Sequence, residues 1–400
     1  MRKANKEGFM NKHLVPRIAM RALVGWMLST AGLALAEEFV VGVEVPLSGS
    51  LARVGTGMSE GITVAAEVFN RKNTKHKIKL ITIDDESSPA KAVAAVEKLA
   101  SQGAIAIDGG YGSNNIGPAS DAANKAGLVY VTSGGVDEAL TQRGLKTFFR
   151  INNTAGYSKA MLGLLADMGV KSASIVYLTK EATADLAKDI EKALAAKGVK
   201  VTMHAFDPAI TDFKPIINKI KLQDKPDVIV MSGYENDYVG VLRAAKVLKP
   251  DVKAIVGAWS LATSKMQDDF PDLMSNVYGT ALLPFPAEFT TPDGKDFAEA
   301  YKKLYGKEPD YLGQFGYVQS QLLFDAIVRA FDAGTLKSGG IATELRKSNK
   351  DTLIGRVQFD DKGDNLNFSH RMGQHQGKQI AIVWPKEYAN GKMTFPGVPW

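Results

Sequence analysis

From Phe39 to about residue 283, short apolar runs alternate with longer amphipathic ones, and this alternation limits the folds open to the chain more than any single motif. FVVGVEV (39–45), IKLITID (78–84), AIAID (104–108) and LVYVT (128–132) are bounded by turn residues and read as strands. Between them, Gly57–Phe69 places Ile62, Ala65, Ala66 and Phe69 on one helical face, and SSPAKAVAAVEKLAS (87–101) offers Ser88 as a cap with Pro89 at the first helical position. A further helix runs through Ala126. The same grammar resumes with SASIVYL (172–178), VKVTMHAF (199–206), DVIVMSG (227–233) and VKAIVGA (252–258), separated by helical patterns around 182–197, around 212–222 and up to Lys249. Strands alternating with helices of this length imply parallel sheets covered by helices on both faces. The two runs break at TFFRINNT (147–154), a candidate crossing between two lobes.

After Val277–Leu283 the pattern changes. LLPFPAEFTTPDG reads as a connection, helical patterns follow around 293–305 and 313–334, and a shorter one ends near Lys347. GRVQFDDKGDN reads as a hairpin-like turn on Lys362-Gly363, and IAIVW (380–384) as a late strand.

The basic character of the chain is concentrated at its start. Residues 1–36 hold six basic residues and one acidic one, whereas the rest carries 43 basic and 42 acidic residues. That balance leaves no nucleic-acid footprint. The uncharged run Ala22–Ala36 ends in Ala34-Leu35-Ala36, the small-x-small pattern of signal peptidase cleavage, and is shorter than the roughly 20 residues of a membrane span. Export with cleavage after Ala36 is the expectation, an uncleaved anchor the alternative. A start at Met10 gives the leader a more usual length. Without cysteine, disulfides, thiolate metal sites and a lipoprotein anchor are all excluded.

Catalytic signatures are missing: G-x-S-x-G, G-x-x-x-x-G-K-[ST] and H-E-x-x-H do not occur. GTGMSEG (55–61) misses the dinucleotide spacing and reads as a helix start whose glycines permit close packing. His370 and His375 read as solvated tail residues. DDESS (84–88) either ends a strand and favours the next helix N-terminus or forms a metal or acid–base site. GGYGSNN (109–115) and TSGGVDE (132–138) are more informative, because each lies between a strand end and a helix. They are either ordinary turns or an anion seat of backbone N–H groups to which Ser113 adds a hydroxyl. SGYEND (232–237) and GAWSL (257–261) occupy equivalent places in the second run, so loops facing each other would close over a small molecule.

Taken in order, VVGVEVPLSGSLARVGTGMSEGITVAAEVFN, DDESSPAKAVAAVEKL, GPASDAANKAGLVYVTS and LTQRGLKTFFRIN resemble the solute-binding proteins of branched-chain amino acid ABC importers, the leucine/isoleucine/valine-binding type. The resemblance implies an α/β fold of two doubly wound parallel-sheet lobes joined by three hinge crossings, the type I periplasmic binding protein fold. The crossings would lie near 150–155, 280–286 and 355–372, and residues 1–36 would be the signal peptide. Residues 37–152 and 283–370 would form lobe 1, and 153–282 and 371–400 lobe 2. It also implies a monomer in the periplasm that is not an enzyme, needs no cofactor or metal, and delivers a small carboxylate to a membrane permease and its ATPase. A sensor of the same fold and an exported α/β enzyme are the competing readings.

The resemblance assigns the ligand's carboxylate to Ser113 and to backbone groups of Ser133, Gly134, Gly135 and Val136, with Tyr234 closing from the second lobe. Val136 and Trp259 stand where amino-acid binders commonly place a hydroxyl and an acid for the ammonium, and Val54 and Ala182 replace aromatics. These departures point to a carboxylate without an α-ammonium, such as an aromatic or keto acid. The alternative is an amino acid whose ammonium is held by Glu235, Asp237 or Asp137, or by a cation–π contact with Trp259.

Overall fold

The computed structural model describes residues 36–309 and 311–400; the expected leader, residues 1–36, lies outside them except for Ala36, and so does the alternative start at Met10. The first stretch runs β1 (Glu37–Val45), α1 (Ala52–Lys72), β2 (His76–Asp84), α2 (Pro89–Ser101), β3 (Ala106–Gly109), α3 (Ser113–Lys125), β4 (Val129–Thr132), the single turn α4 (Ala139–Gln142) and β5 (Phe148–Arg150). These strands form one parallel sheet in the order β2-β1-β3-β4-β5. Its inner strands are buried on both faces because helices cover both.

The chain then makes α5 (Thr154–Asp167), β6 (Ser172–Leu178), α6 (Glu181–Ala195), β7 (Lys200–Phe206), α7 (Lys214–Lys219), β8 (Val228–Ser232), α8 (Glu235–Leu248), β9 (Ala254–Gly257), α9 (Ser264–Asp269), α10 (Pro271–Met274) and β10 (Tyr278–Ala281). It continues with α11 (Pro292–Tyr305), α12 (Tyr311–Asp332), α13 (Gly340–Arg346), β11 (Asn349–Thr352), β12 (Gly355–Gln358), β13 (Arg371–Gln376) and β14 (Gln379–Trp384). The second sheet has the order β14-β13-β10-β9-β8-β6-β7, parallel except for β13 and β14.

The segment between β10 and β11 returns to the first sheet. Phe297, Tyr301, Phe315, Tyr317 and Phe324 share one core with Val41, Val43 and Ile62. Here α12 lies directly against α1: a methyl on Gly61 would sit 2.1 Å from the Gly313 carbonyl oxygen, and one on Gly316 2.2 Å from that of Met58. The glycines of GTGMSEG thus serve close helix packing.

Two expectations need correction and a third is met beside an element it did not include. His370 and His375 are fully buried, because β13 lies inside the second sheet between β10 and β14. The expected turn on Lys362-Gly363 is present, closed by the antiparallel Phe359–Asn365 bridge, and a separate β11–β12 hairpin precedes it, turning at Leu353-Ile354. Ser88 makes no side-chain cap bond; the carboxylates before it fasten the loop instead, Asp84 accepting from the Leu47, Ser48 and Glu86 N–H groups and Asp85 from that of Ser87.

Candidate functional site

In each sheet the order reverses direction at one point, between β1 and β3 in the first and between β6 and β8 in the second. Crevices outside the carboxyl ends of strands at such points are where open α/β sheets hold ligands. Residues from the loops after β3 and β4, and from those after β6, β8 and β9, meet at one cavity.

On the first-sheet side, two loops are locked together. Gly134 pairs with Tyr111, and a methyl on it would lie 2.1 Å from the Gly110 carbonyl oxygen, so only glycine allows this approach. Gly112 N–H donates to the Gly134 carbonyl at 3.0 Å. Ser113, the first residue of α3, accepts at its Oγ from the N–H groups of Val136 (3.2 Å) and Asp137 (3.1 Å). Two donors already reach that oxygen, so the hydroxyl proton is directed away from them, at the positive end of a helix. Below the second loop, Ser133 Oγ donates to Gln319 Oε1 (2.5 Å), Gln319 Nε2 to Asp108 Oδ1 (2.6 Å) and Ser320 Oγ to Asp108 Oδ2 (2.5 Å). Burial pushes the Asp108 carboxyl up to about 7 against the opposing pull of the Ser320 and Gln319 hydrogen bonds.

Aromatic rings make up most of the remaining wall. Tyr234 and Trp259 lie 6.1 Å apart, and Trp259 lies 5.6 Å from Tyr157. Tyr157 from α5 and Tyr311 from α12 join hydroxyls at 2.6 Å, and Asn152 Nδ2 donates to the Tyr157 hydroxyl at 3.1 Å. Tyr111, Met58, Leu312 and Phe315 complete the apolar surface. Burial lifts the Tyr111, Tyr157, Tyr234 and Tyr311 hydroxyls above the ordinary phenol range, so all four stay protonated. The room left for water centres is about 10 Å³, on the order of a single water molecule, so a larger guest enters only as the walls part.

Of the sequence-derived residues, Ser113, Ser133, Gly134, Val136, Ala182, Tyr234 and Trp259 line the cavity. Val54 and Gly135 do not: Val54 is buried in the first-sheet core, and the side-chain direction of Gly135 points at Leu140 and Ile116. Sequence reasoning missed Tyr111, Asn152, Tyr157, Tyr311 and Phe315, although Tyr111 and Asn152 lie within segments already singled out.

Among the described residues, no charged side chain lines the cavity. The three acids named as alternative countercharges are not among the residues that line the cavity, and each has a partner of its own. Glu235 pairs with Arg53, Asp237 accepts from the Tyr234 N–H at 2.8 Å, and Asp137 from the Ala139 N–H at 2.8 Å. Among the described residues there is no group of three or more metal-ligating side chains, and no helix is long and apolar enough to cross a membrane.

Residues 38–379 match the family described as "Periplasmic binding protein". The chain belongs to that family. Among curated relatives of this binding protein, a Leu/Ile/Val-binding protein homolog 7 from Brucella melitensis is 25% identical, with 97% of this chain and 100% of the relative aligned. Among solved structures, the leucine binding protein LivK of Thermotoga maritima superposes with a TM-score of 0.78 at 23% identity, covering 86% of this chain and 97% of its own. A solute-binding protein of an ABC transporter from R. palustris, solved with benzoate, gives 0.77 at 17% identity over 86% and 95%. Both structures share the type I binding fold with this chain, and family and fold alike are those of solute-binding proteins.

Proposed function

We propose that this binding protein is the exported, periplasmic component of an ABC importer, capturing a small carboxylate without an α-ammonium and delivering it to a membrane permease and ATPase. It does no chemistry on its cargo. Ser113 carries the reading: its hydroxyl, held by two backbone N–H groups at the start of α3, donates to the carboxylate. Gly134 and its neighbours supply the backbone around it, while Tyr234, Trp259 and Ala182 cover it from the second sheet. Relatives named as leucine/isoleucine/valine-binding proteins and a fold neighbour holding benzoate bracket the ligand class.

A buried ammonium left without acceptors or a countercharge costs several kcal/mol. With Glu235, Asp237 and Asp137 outside the lining and no carboxylate among the described residues of the wall, aromatic and aliphatic acids fit better than amino acids. The lobes are proposed to comprise residues 37–152 with 283–370, and 153–282 with 371–400, in keeping with the two sheets. Titration calorimetry of ligand-stripped protein with leucine, phenylalanine, benzoate and phenylpyruvate tests the reading. Micromolar or tighter binding of an ammonium-free acid is expected. Tight leucine binding with no response to the two ammonium-free acids would overturn it.

A further inference from the structure

Two carboxyl groups face each other beneath the loop that carries Ser113. Glu44 on β1 and Asp85 just after β2 are both fully buried, and the register that sets Val45 against Asp84 brings them together. Glu44 Oε2 accepts from the Tyr130 hydroxyl at 2.5 Å, and Asp85 Oδ1 accepts from the Ser87 N–H at 2.6 Å. The other two oxygens, Glu44 Oε1 and Asp85 Oδ2, are buried with no partner among the described residues, although the two carboxyls lie within hydrogen-bond reach of each other. Two ionised carboxylates so placed repel; a single proton between them satisfies both oxygens and removes one charge.

The surroundings favour keeping that proton. Burial, and then the Asp85 carboxyl, push the Glu44 carboxyl well above the ordinary glutamate range, against the pull of the Tyr130 hydrogen bond. Burial also pushes Asp85 up, against its hydrogen bonds with Glu44 and Ser87. The neighbouring charges that act on the pair are of like sign: Asp84 beside it and, through Tyr130, Asp108 on β3. Among the described residues no lysine or arginine acts on either carboxyl. Lys91 on α2 pairs with Glu86 instead, and Arg143 reaches Tyr130 only.

Both partners are fastened to the loop after β3. The Glu44 carbonyl accepts from the Gly110 N–H at 2.5 Å, and a methyl on Gly110 would lie 2.1 Å from the Tyr130 hydroxyl. On the other side, Glu86 and Ser87 are held at positive φ, 50° and 60°. Ser87 Oγ donates to the Ser48 carbonyl at 2.7 Å and accepts from the Leu51 N–H at 3.0 Å. Leu51 lies over Gly112, its Cδ1 3.2 Å from where a Cβ would stand. We propose that Glu44 and Asp85 hold one proton between them and that this proton positions the Gly110–Ser113 loop, so that ligand capture weakens when it leaves. The capture half rests on the reading of that loop as the carboxylate seat. Without the proton, two adjacent negative charges in a dry site drive Asp85 and the left-handed Glu86-Ser87 turn outward. Leu51 is then released from Ser87, and the backbone beside Ser113 loosens. Glu44 and Asp85 are positioning residues; neither lines the cavity. A carboxyl raised in the folded state supports that state below the ordinary carboxyl range, and the support is lost as pH rises through the raised value.

The test uses mature, ligand-stripped protein with Glu44→Gln and Asp85→Asn, each of which keeps the shape and supplies the bridging hydrogen from an amide that does not titrate. Infrared difference spectra, parent minus Glu44→Gln, should show a protonated-carboxyl band at about pH 6 that fades as pH rises. Capture is read by calorimetry with whichever of leucine, phenylalanine, benzoate and phenylpyruvate binds the parent most tightly at about pH 6, followed up to about pH 9. Once the proton leaves, parent affinity should fall by up to about tenfold per pH unit, whereas both variants should stay within about threefold of their own value at the acid end. Asp108 is present in all three proteins, so its own titration does not separate them. An infrared difference without the carboxyl band, or a parent affinity that stays flat or falls in parallel with both variants, would overturn the inference. Tight leucine binding with no response to the two ammonium-free acids would overturn the proposed ligand class and leave the shared proton standing. If none of the four binds, the proposed cargo and the capture half fall together, and the infrared band still decides whether the proton is there.

Discussion

Arg53 on α1 pairs with Glu235 at the first turn of α8 and also with Asp269 at the end of α9, so one guanidinium ties together elements packed on different sheets. Its carbon atom also lies 5.5 Å from the centre of the Phe270 ring. The tie stands beside the cavity: Tyr234, which lines it, immediately precedes Glu235. Arg53 therefore favours the arrangement in which the two sets of loops face each other closely.

Arg53→Ala should weaken ligand binding modestly. The Arg53 side chain is 39% exposed, so water and salt screen the pair, and such contacts contribute about 0.2–1 kcal/mol. The expected loss is about two- to fivefold, chiefly through faster release, together with a smaller dependence of affinity on salt. Stopped-flow release rates at low and high ionic strength would check this. An unchanged release rate at low salt would show that the pair contributes nothing to closure.

Ser113→Ala should cost about 1.5–3 kcal/mol of carboxylate binding, roughly ten- to over a hundredfold. It should also lower stability, because the Val136 and Asp137 N–H groups lose their shared acceptor inside a buried loop. Calorimetric titration and a melting curve separate the two effects. A lower melting temperature with unchanged affinity would confine Ser113 to a structural role.

Buried acids and histidines make opposing pH terms. Asp108 has its folded pKa raised to about 7, so its stabilising contribution is full below the ordinary Asp range and is lost as pH rises towards 7. His370 and His375 have theirs lowered by burial to about 3 and about 4, so their contribution is present above the ordinary His range and is lost as pH falls below it. Each term is on the order of 1 kcal/mol per pH unit in its window. Asp108→Asn should therefore lose stability relative to the parent as pH falls from 7 to 5, and His370→Gln should gain it. Denaturant midpoints across that range read both slopes, and parallel curves for parent and variants would refute the assignment.

The strand-and-helix order was legible because the Val- and Ile-rich runs are short and bounded by glycine, proline or charge. The loops after β3, β4 and β8 were legible because strand-end loops of parallel sheets are where sites form, and Ser113, Val136 and Tyr234 stand there. β13 was not: RMGQHQ lacks branched residues, and its polar groups find partners only in the folded sheet, His375 Nε2 meeting the Leu261 carbonyl at 2.8 Å. Tyr157 and Tyr311 sit on helices where an aromatic reads as core, and only their 2.6 Å hydroxyl contact across 154 residues of sequence brings them to the cavity. Val54 was misplaced for the converse reason: an apolar residue near a helix start gives no sign of whether it turns to the core or to the cleft.

Trp259 offers the sharpest test of what the cavity excludes. It adopts a positive φ of 48°, unusual for a bulky residue, and its ring lies between those of Tyr157 and Tyr234. Its indole can donate a hydrogen bond but cannot accept one, so beside the carboxylate seat it gives an ammonium nothing but a ring face. Trp259→Glu would replace that face with a countercharge and, because the glutamate is smaller, would also widen the cavity. Without ligand the new carboxyl should bind a proton more readily than an ordinary glutamate, since the wall around it is largely aromatic. An ammonium would pay for its ionisation on binding. Leucine or phenylalanine affinity should then rise at least tenfold over the parent, while phenylpyruvate affinity falls by a similar factor through repulsion and lost stacking. Combining it with Val136→Thr adds a second acceptor and should extend the shift. Calorimetry of the single and double variants against matched amino and keto acids would decide. A variant that folds like the parent yet keeps its preference for the keto acid would show that Trp259 does not set the choice between the two.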